Sequence, residues 1–128
     1  MLPHDKVFTR LGISKIHGIG VFAISIIKKG TALFKYDNTE IVWVNASEIV
    51  NTSDSIKKMY TDFCVIKDHG TLYGCPSNFN QLTMAWYMNH SDTPNVSIYK
   101  NYDFRTIRDI QDGEELTINY NTFSEENL

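Results

Sequence analysis

Short apolar runs separated by turn-forming residues dominate the first part of this chain. The stretch "VFTRLGISKIHGIGVFAISIIKKGTALFKY", residues 7–36, alternates the two kinds of segment at close intervals. The pattern predicts short strands near residues 7–9, 12–15, 20–24 and 31–36, with a hairpin-like break at Lys28-Lys29-Gly30. No helix of about 10–15 residues alternates with each strand, which argues against a doubly wound α/β fold. We therefore expect a mainly β protein with short helices.

The rest of the chain adds two predicted helices and several turns. Ser53 or Asp54 caps a segment with apolar side chains at helical spacing through Phe63, which predicts a helix. A weaker helical pattern covers residues 80–88. The other predicted elements are a strand at 40–44, a short turn capped by Ser47, hairpins at Asp68-His69-Gly70 and Lys100-Asn101, and a turn at Asp112-Gly113 followed by a strand. At 128 residues the chain is expected to form one domain, 1–128.

Composition limits the partners and the cellular location. The chain is 42% hydrophobic and carries a net charge of −3 with scattered Lys and Arg, so we expect no direct nucleic-acid partner. No stretch approaches the roughly 18 apolar residues of a membrane helix, and the N-terminus has no apolar signal region. Cys64 and Cys75 lack metal-ligand spacing, and a structural zinc site needs four ligands. We expect no metal, two reduced thiols and a cytoplasmic location.

Three motifs carry candidate chemistry, but each has an ordinary structural interpretation. Gly18-Ile19-Gly20 lacks the third glycine and the helix of a dinucleotide fingerprint, so it indicates a tight turn or a close backbone approach to a ligand. The segment "YMNHSDTPN", residues 87–95, is typical of a helix exit, and no acid completes a Ser-His triad there. In "DGEELTINY", residues 112–120, adjacent Glu114 and Glu115 are expected on opposite faces. Tyr36 and Tyr120, taken alone, are sheet aromatics.

The order of these motifs is more informative than any one of them. "HGIGVFA", "GTALFKY", "MNHSDTPN" and "IRDIQDGEELTINY" follow one another at separations that resemble the SET-domain protein-lysine methyltransferases. That family carries a GxG-type turn, an NHSxxPN segment and a closing GEELxxxY strand in this order. The resemblance covers residues 9–120 and leaves 121–128 as a short C-terminal tail.

The resemblance implies a fold, a cofactor and a set of site residues. The implied fold is a β-clip-like set of small curved sheets around a C-terminal pseudo-knot formed by the NHSxxPN and GEELxxxY segments. The implied cofactor is S-adenosylmethionine, and the implied substrate is a lysine in a protein, histone-like or not, with a nuclear location if histones are the target. The implied cofactor-binding residues are Gly18, Ile19, Gly20, Asn89, His90 and Tyr120. The implied catalytic residues are Tyr120 and Tyr36, and the implied channel residues are Tyr36, Ile98, Tyr120 and Phe123.

Two departures from the family pattern leave alternatives open. Ile118 stands where many relatives have Tyr, which leaves the number of methyl groups transferred open. Only eight residues follow Tyr120, and none is Cys, so Phe123 or a second copy in a homodimer is expected to complete the channel. The alternative function is a non-catalytic SET-fold module that binds peptide or cofactor. A further alternative is an unrelated small β-rich interaction protein.

Overall fold

The computed structural model describes residues 1–122 and divides the chain into two compact units. The first unit combines Met1–Asp37 with Met84–Tyr120, and the second contains Asn38–Thr83 and residues 121–122. Within the described residues the strands are β1 (Thr9–Ile13), β2 (Ile19–Ala23), β3 (Val42–Asn45), β4 (Val65–Lys67), β5 (Leu72–Cys75), β6 (Asn89–His90), β7 (Val96–Tyr99), β8 (Asp103–Thr106) and β9 (Glu115–Ile118). The expectation of a mainly β protein with short helices is confirmed.

A four-stranded sheet in the order β1-β2-β9-β6 forms the centre of the first unit. β1 and β2 make an antiparallel hairpin, β2 pairs antiparallel with β9, and β9 pairs parallel with β6. Val21 and its cross-strand partner Leu116 are fully buried, because β9 lies between two strands and contributes to the core. The largest fully buried side chains are Val21, Ile27, Met88, Val96, Ile110 and Leu116.

The predicted strand at residues 31–36 is wrong. Ala32 makes only an isolated bridge to Arg105 in β8, supported by a bond from the Leu33 amide to the Phe104 carbonyl (2.9 Å). Phe34 and Tyr36 then adopt positive φ angles of 57° and 69°, which no extended strand contains. The segment therefore runs beside β8 only as far as Leu33, and its backbone turns away at Phe34.

The second unit contains the antiparallel sheet β3-β5-β4 and the helix α1 (Asp54–Phe63). The predicted helix is confirmed, and Ser53 caps it by accepting a hydrogen bond from the Ile56 amide (3.3 Å). Tyr60 packs edge-on against Tyr73 of β5 at 5.7 Å between ring centroids. This aromatic contact joins α1 to its sheet.

The predicted helix at residues 80–88 is replaced by two short 3₁₀ turns. They span Phe79–Gln81 and Met84–Tyr87. Asn78 caps the first turn, and Leu82 then takes an extended conformation with φ −63° and ψ 119°. An extended residue interrupts helical hydrogen bonding, so one continuous α-helix cannot form. In the part of the chain that the structure describes, no helix has both the length and the apolar character needed to cross a bilayer.

Candidate active site

The "NHS" and "EELTI" segments lie side by side in the first unit. Asn89 is paired with Thr117 and His90 with Ile118 in parallel register, and the Ser91 amide donates to the Ile118 carbonyl (2.9 Å). Parallel strands require a long connection, here provided by the chain that includes the β7–β8 hairpin. The pairing brings together two motifs that are distant in sequence. Whether one segment threads through a loop closed by the other, as the pseudo-knot requires, stays a prediction.

The side chain of Asn89 points at the loop between β1 and β2. Its amide nitrogen lies 3.0 Å from the His17 carbonyl and 3.4 Å from the Ile19 carbonyl. It also lies 2.9 Å from Oε2 of Glu115. Asn89 is only 6% exposed, so these protein acceptors satisfy a donor that burial would otherwise leave unpaired. That Asn89 binds the cofactor, as the resemblance implied, stays a prediction; its side-chain nitrogen is engaged within the protein.

Ser14 and Glu115 join this cluster, and sequence reasoning did not select them as site residues. Ser14 Oγ donates to the Glu115 carboxylate, at 2.8 Å from Oε1 and 2.9 Å from Oε2. The two residues are far apart in the chain, so no local pattern links them. One signal was present: a glycine inside a strand often marks a close approach of another group, and Gly20 lies in β2.

The two glycines of "GIG" serve different purposes. Gly18 has a φ of +48°, and a Cβ built there would meet nothing within 4 Å, so this backbone position is open. A Cβ on Gly20 would lie 2.9 Å from the carboxyl carbon of Glu115 and 3.1 Å from Cβ of Ser14. Gly18 therefore provides a turn conformation and an accessible backbone, and Gly20 makes room for the Glu115 carboxylate.

His90 and Tyr120 contact each other directly. The Tyr120 amide donates to Nδ1 of His90 (3.0 Å), and Nε2 of His90 lies 2.9 Å from Oδ1 of Asp92. Because Nδ1 accepts a hydrogen bond, the ring proton lies on Nε2, which donates to Asp92. The two aromatic rings are 5.2 Å apart between centroids.

The phenol of Tyr120 is oriented by the backbone of the residue before Asn89. Its hydroxyl donates to the Met88 carbonyl at 2.6 Å, while the Tyr120 side chain stays partly exposed. The phenol oxygen has accepting lone pairs beyond this bond, and the Met88 carbonyl lies next to it. Two oxygen atoms therefore lie together beside the β6–β9 pair, one on the buried residue Met88 and one on the partly exposed Tyr120.

Asn95 and Glu114 fix the chain on either side of these motifs. Asn95 is buried, accepts from the Thr117 amide (2.8 Å) and donates to the Glu115 carbonyl (2.8 Å). Hydrogen bonds from Arg108 hold the pKa of Glu114 down to about 2, with further help from the Gln111 amide. The expectation that Glu114 and Glu115 point in different directions agrees with their separate partners.

Two of the remaining predicted residues, Tyr36 and Ile98, belong to the first unit. Tyr36 is 62% exposed and lines a cavity of about 500 Å³ with Met1, Asp5, Lys6 and Phe8. Ile98 is half-buried in β7, opposite Phe104. Phe123 lies beyond residue 122 and is outside the described residues. Among residues 1–122, no group of three or more His, Cys, Asp or Glu side chains is arranged to hold a metal ion.

Comparison with known proteins identifies the family. A family model described as the SET domain matches residues 18–121, which is most of the chain. The chain belongs to the SET-domain family. The SET resemblance inferred from the motif order and the SET-type fold are both confirmed. No curated protein matches the sequence.

Solved structures agree on the fold of this SET domain. One similar structure is a Plasmodium falciparum protein, PFL0690c, proposed to be a histone methyltransferase. It is 24% identical, with a TM-score of 0.55, over 89% of this chain and 93% of that one. A second is a humanized mutant of Polycomb Repressive Complex 2 from Chaetomium thermophilum, bound to the inhibitor GSK126. It is 20% identical, with a TM-score of 0.56, over 92% of this chain but only 15% of that one.

Proposed function

We propose that this SET domain is a protein-lysine methyltransferase that uses S-adenosylmethionine. One observation carries the proposal: the β6–β9 pairing groups the Asn89–His90 strand, Tyr120 and the Met88 carbonyl in one place. The same pairing joins them to the loop before Gly20 through the Asn89 side chain. Membership of the SET family supports this class of chemistry. Because the similar Plasmodium falciparum protein is proposed to be a histone methyltransferase, histones are included among the substrates tested.

The residues present fit S-adenosylmethionine. The backbone at Gly18 is open, with nothing within 4 Å of where a side chain would begin. Carbonyl and phenol oxygens, at Met88 and Tyr120, suit a ligand that carries positive charge and polarised C–H groups. When bound, the cofactor supplies an electrophilic methyl group on a sulfonium. The residues proposed to hold it are Gly18, Ile19, Gly20, Asn89, His90 and Tyr120.

Tyr120 is proposed to orient the reacting groups rather than to remove a proton. Its hydroxyl hydrogen is already directed at the Met88 carbonyl, which leaves the phenol oxygen as an acceptor. Such oxygens hold methyl and amine groups by C–H···O and N–H···O contacts, of which each C–H···O contact is worth about 0.5–1 kcal/mol. Positioning of this kind is the main requirement of an in-line displacement. Tyr120 therefore contributes by positioning the methyl group and the amine.

The substrate amine must lose its proton before it can react. A lysine amine has a pKa near 10.4, so about 1% or less is neutral near pH 8, and recovering the neutral form costs about 3 kcal/mol. Entry into a desolvated aromatic channel favours the neutral amine. We propose Tyr36, Ile98, Tyr120 and Phe123 as the residues that line this channel. Tyr36 adopts a positive φ of 69°, and backbone conformations of this kind cluster at functional sites in non-glycine residues.

We also propose that the protein acts inside cells. Cys64 and Cys75 are both buried and form no disulfide. Unpaired buried cysteines are typical of reducing compartments. The proposal predicts that activity is unaffected by millimolar reductant, which can be checked in the methyl-transfer assay itself.

The proposed function is tested by methyl transfer from labelled S-adenosylmethionine to histones and to cell-lysate proteins. Mass spectrometry of the labelled protein identifies the modified residue. We expect label on lysine. If the chain binds the cofactor but labels no protein, the non-catalytic binding module is the correct function. If the chain does not bind the cofactor, the methyltransferase proposal is wrong, and only a module that binds peptide is left of the alternative.

Replacing Tyr120 with Phe tests the catalytic assignment. The variant Tyr120→Phe removes the phenol oxygen and keeps the ring, so turnover should fall about tenfold to a hundredfold. Cofactor affinity should change by less than about threefold, because the proposed cofactor contacts are mostly elsewhere. Tyr99→Phe is the matched control, since Tyr99 is an exposed tyrosine of β7, and it should leave turnover unchanged. Unchanged turnover in Tyr120→Phe would refute the assignment.

A further inference from the structure

We propose that Ser14 and Glu115 are positioning residues that hold the backbone of residues 16–20 in the form that accepts the cofactor. The proposal rests on the proposed function of the same site. Neither residue is needed as a direct contact to the cofactor or the substrate lysine. Their role is to fix the loop that joins β1 to β2, from which Gly18 presents an open backbone.

Ser14 organises the loop from its first position. Ser14 Oγ accepts hydrogen bonds from the amides of Ile16 (2.9 Å) and His17 (3.2 Å), and the Ser14 amide donates to the Gly18 carbonyl (2.8 Å). A hydroxyl oxygen has two accepting lone pairs and a single hydrogen. The side-chain nitrogen of Asn89 also lies 3.0 Å from Ser14 Oγ and is a third N–H donor to it. With the lone pairs facing these N–H donors, the hydroxyl hydrogen must go to a separate acceptor.

Glu115 provides that acceptor from a neighbouring strand. Its carboxylate takes the Ser14 hydroxyl hydrogen, with 2.8 Å between Ser14 Oγ and Oε1. Hydrogen bonds to an ionised carboxylate are stronger than those between neutral groups. The orientation of the Ser14 hydroxyl, and with it the two amide bonds, therefore depends on Glu115. The carboxylate reaches Ser14 because Gly20 has no Cβ to block it.

Asn89 holds the carbonyl side of the same loop. Its side-chain amide nitrogen lies within hydrogen-bonding distance of the carbonyls of His17 and Ile19, and it also donates to Oε2 of Glu115 at 2.9 Å. The loop is therefore held through its amides by Ser14 and through its carbonyls by Asn89. Glu115 contacts both of these residues. The Glu115 carboxylate thus links the β1–β2 loop to the strand β6 by hydrogen bonds.

The first test needs no cofactor. Amide hydrogen exchange measured by NMR on the unliganded protein should be about fivefold to tenfold faster at Ile16 and His17 in Ser14→Ala than in the wild type. Ser14→Thr keeps the hydroxyl and should restore protection. The Leu116 amide in the central strand serves as an internal control and should not change. Equal exchange at residues 16 and 17 in the wild type and Ser14→Ala would overturn the proposal.

The second test separates positioning from general stability. In Glu115→Gln and Ser14→Ala, the KM for S-adenosylmethionine should rise about fivefold to twentyfold. The kcat and the KM for the protein substrate should stay within about twofold, and Ser14→Thr should resemble the wild type. A loss of kcat with no change in the KM for S-adenosylmethionine would overturn the proposal. Misfolding gives this result, because it lowers the active fraction of the protein without changing that KM.

The outcomes distinguish this inference from the proposed function. If the wild type binds S-adenosylmethionine and both variants bind it equally well, only the positioning role is wrong. If the wild type does not bind it, the proposed function is wrong and the positioning role with it. If Ser14→Ala does not fold, Glu115→Gln still gives a decision, since it keeps the volume and polarity of the site.

Discussion

At the residue scale, two adjacent glutamates do separate work in this fold. Glu115 accepts from Ser14 and Asn89 beside the candidate site, whereas Glu114 pairs with Arg108 and accepts from the Gln111 amide. Alternation along an extended chain explains the division, because neighbouring side chains point to opposite faces. The family motif "GEEL" therefore contains one residue that serves the site and one that secures the turn before β9.

The pairing of Glu114 with Arg108 predicts a specific dependence of stability on pH. The pKa of Glu114 falls from 4.5 to about 2 in the folded protein, chiefly because of its hydrogen bonds from Arg108. A lowered folded-state pKa means that the ionised form stabilises the fold above about pH 4.5 and that this contribution is lost as the pH falls towards about 2.

The variant Glu114→Gln measures this contribution. It should lower the free energy of unfolding by about 1–2 kcal/mol at pH 7, a range that allows for the partial exposure of Arg108. In urea unfolding experiments, the difference from the wild type should shrink as the pH is lowered from about 5 to about 3. Glu40→Gln is a control carboxylate variant outside this pair. A difference that is constant with pH would contradict the assignment.

At the element scale, the helix α1 shows what local sequence can predict. Ser53 identified the start of the helix, and of the apolar residues at helical spacing Met59 and Tyr60 are half-buried whereas Ile56 is exposed. The hairpin turn at residues 68–70 was predicted for a similar reason, since Asp68, His69 and Gly70 all take positive φ. Capping and turn residues act within a few positions, so the sequence displays them directly.

The cap of α1 gives a prediction of its own. Ser53→Ala removes the acceptor for the Ile56 amide and should lower the free energy of unfolding by about 1 kcal/mol. Ser55→Ala, at the second residue of the same helix, is the matched control and should leave the free energy of unfolding unchanged or raise it slightly. Chemical denaturation of the two variants checks the difference. Equal stability of the two would show that Ser53 does not act as the cap.

Other elements were not predictable from local sequence. The apolar run at 31–36 has the composition of a strand, but Phe34 and Tyr36 take left-handed conformations that their residue types disfavour. The pattern at 80–88 suits a helix, but Leu82 is extended. In both places tertiary contacts override local preference, because hydrogen bonds to distant strands and buried apolar surface are worth more than propensity.

At the scale of the whole molecule, motif order indicated more than any single motif. Gly18-Ile19-Gly20, Asn89-His90 and Tyr120 are each ordinary by themselves, and their sequence order led to the SET family that the family model identifies. Motif order did not predict the Ser14–Glu115 contact. It joins residues 101 positions apart and depends on a register that only the folded sheet defines.

The most direct test of the central claim is calorimetric titration of S-adenosylmethionine into the wild type, Gly20→Ala and Gly113→Ala. A Cβ at Gly20 displaces the Glu115 carboxylate, whereas Gly113 has a φ of +84° in an open turn, so Gly113→Ala strains the backbone away from the site. We predict binding to the wild type and to Gly113→Ala, and affinity at least about tenfold weaker in Gly20→Ala. No binding to the wild type, or equal affinity in Gly20→Ala, would contradict the account.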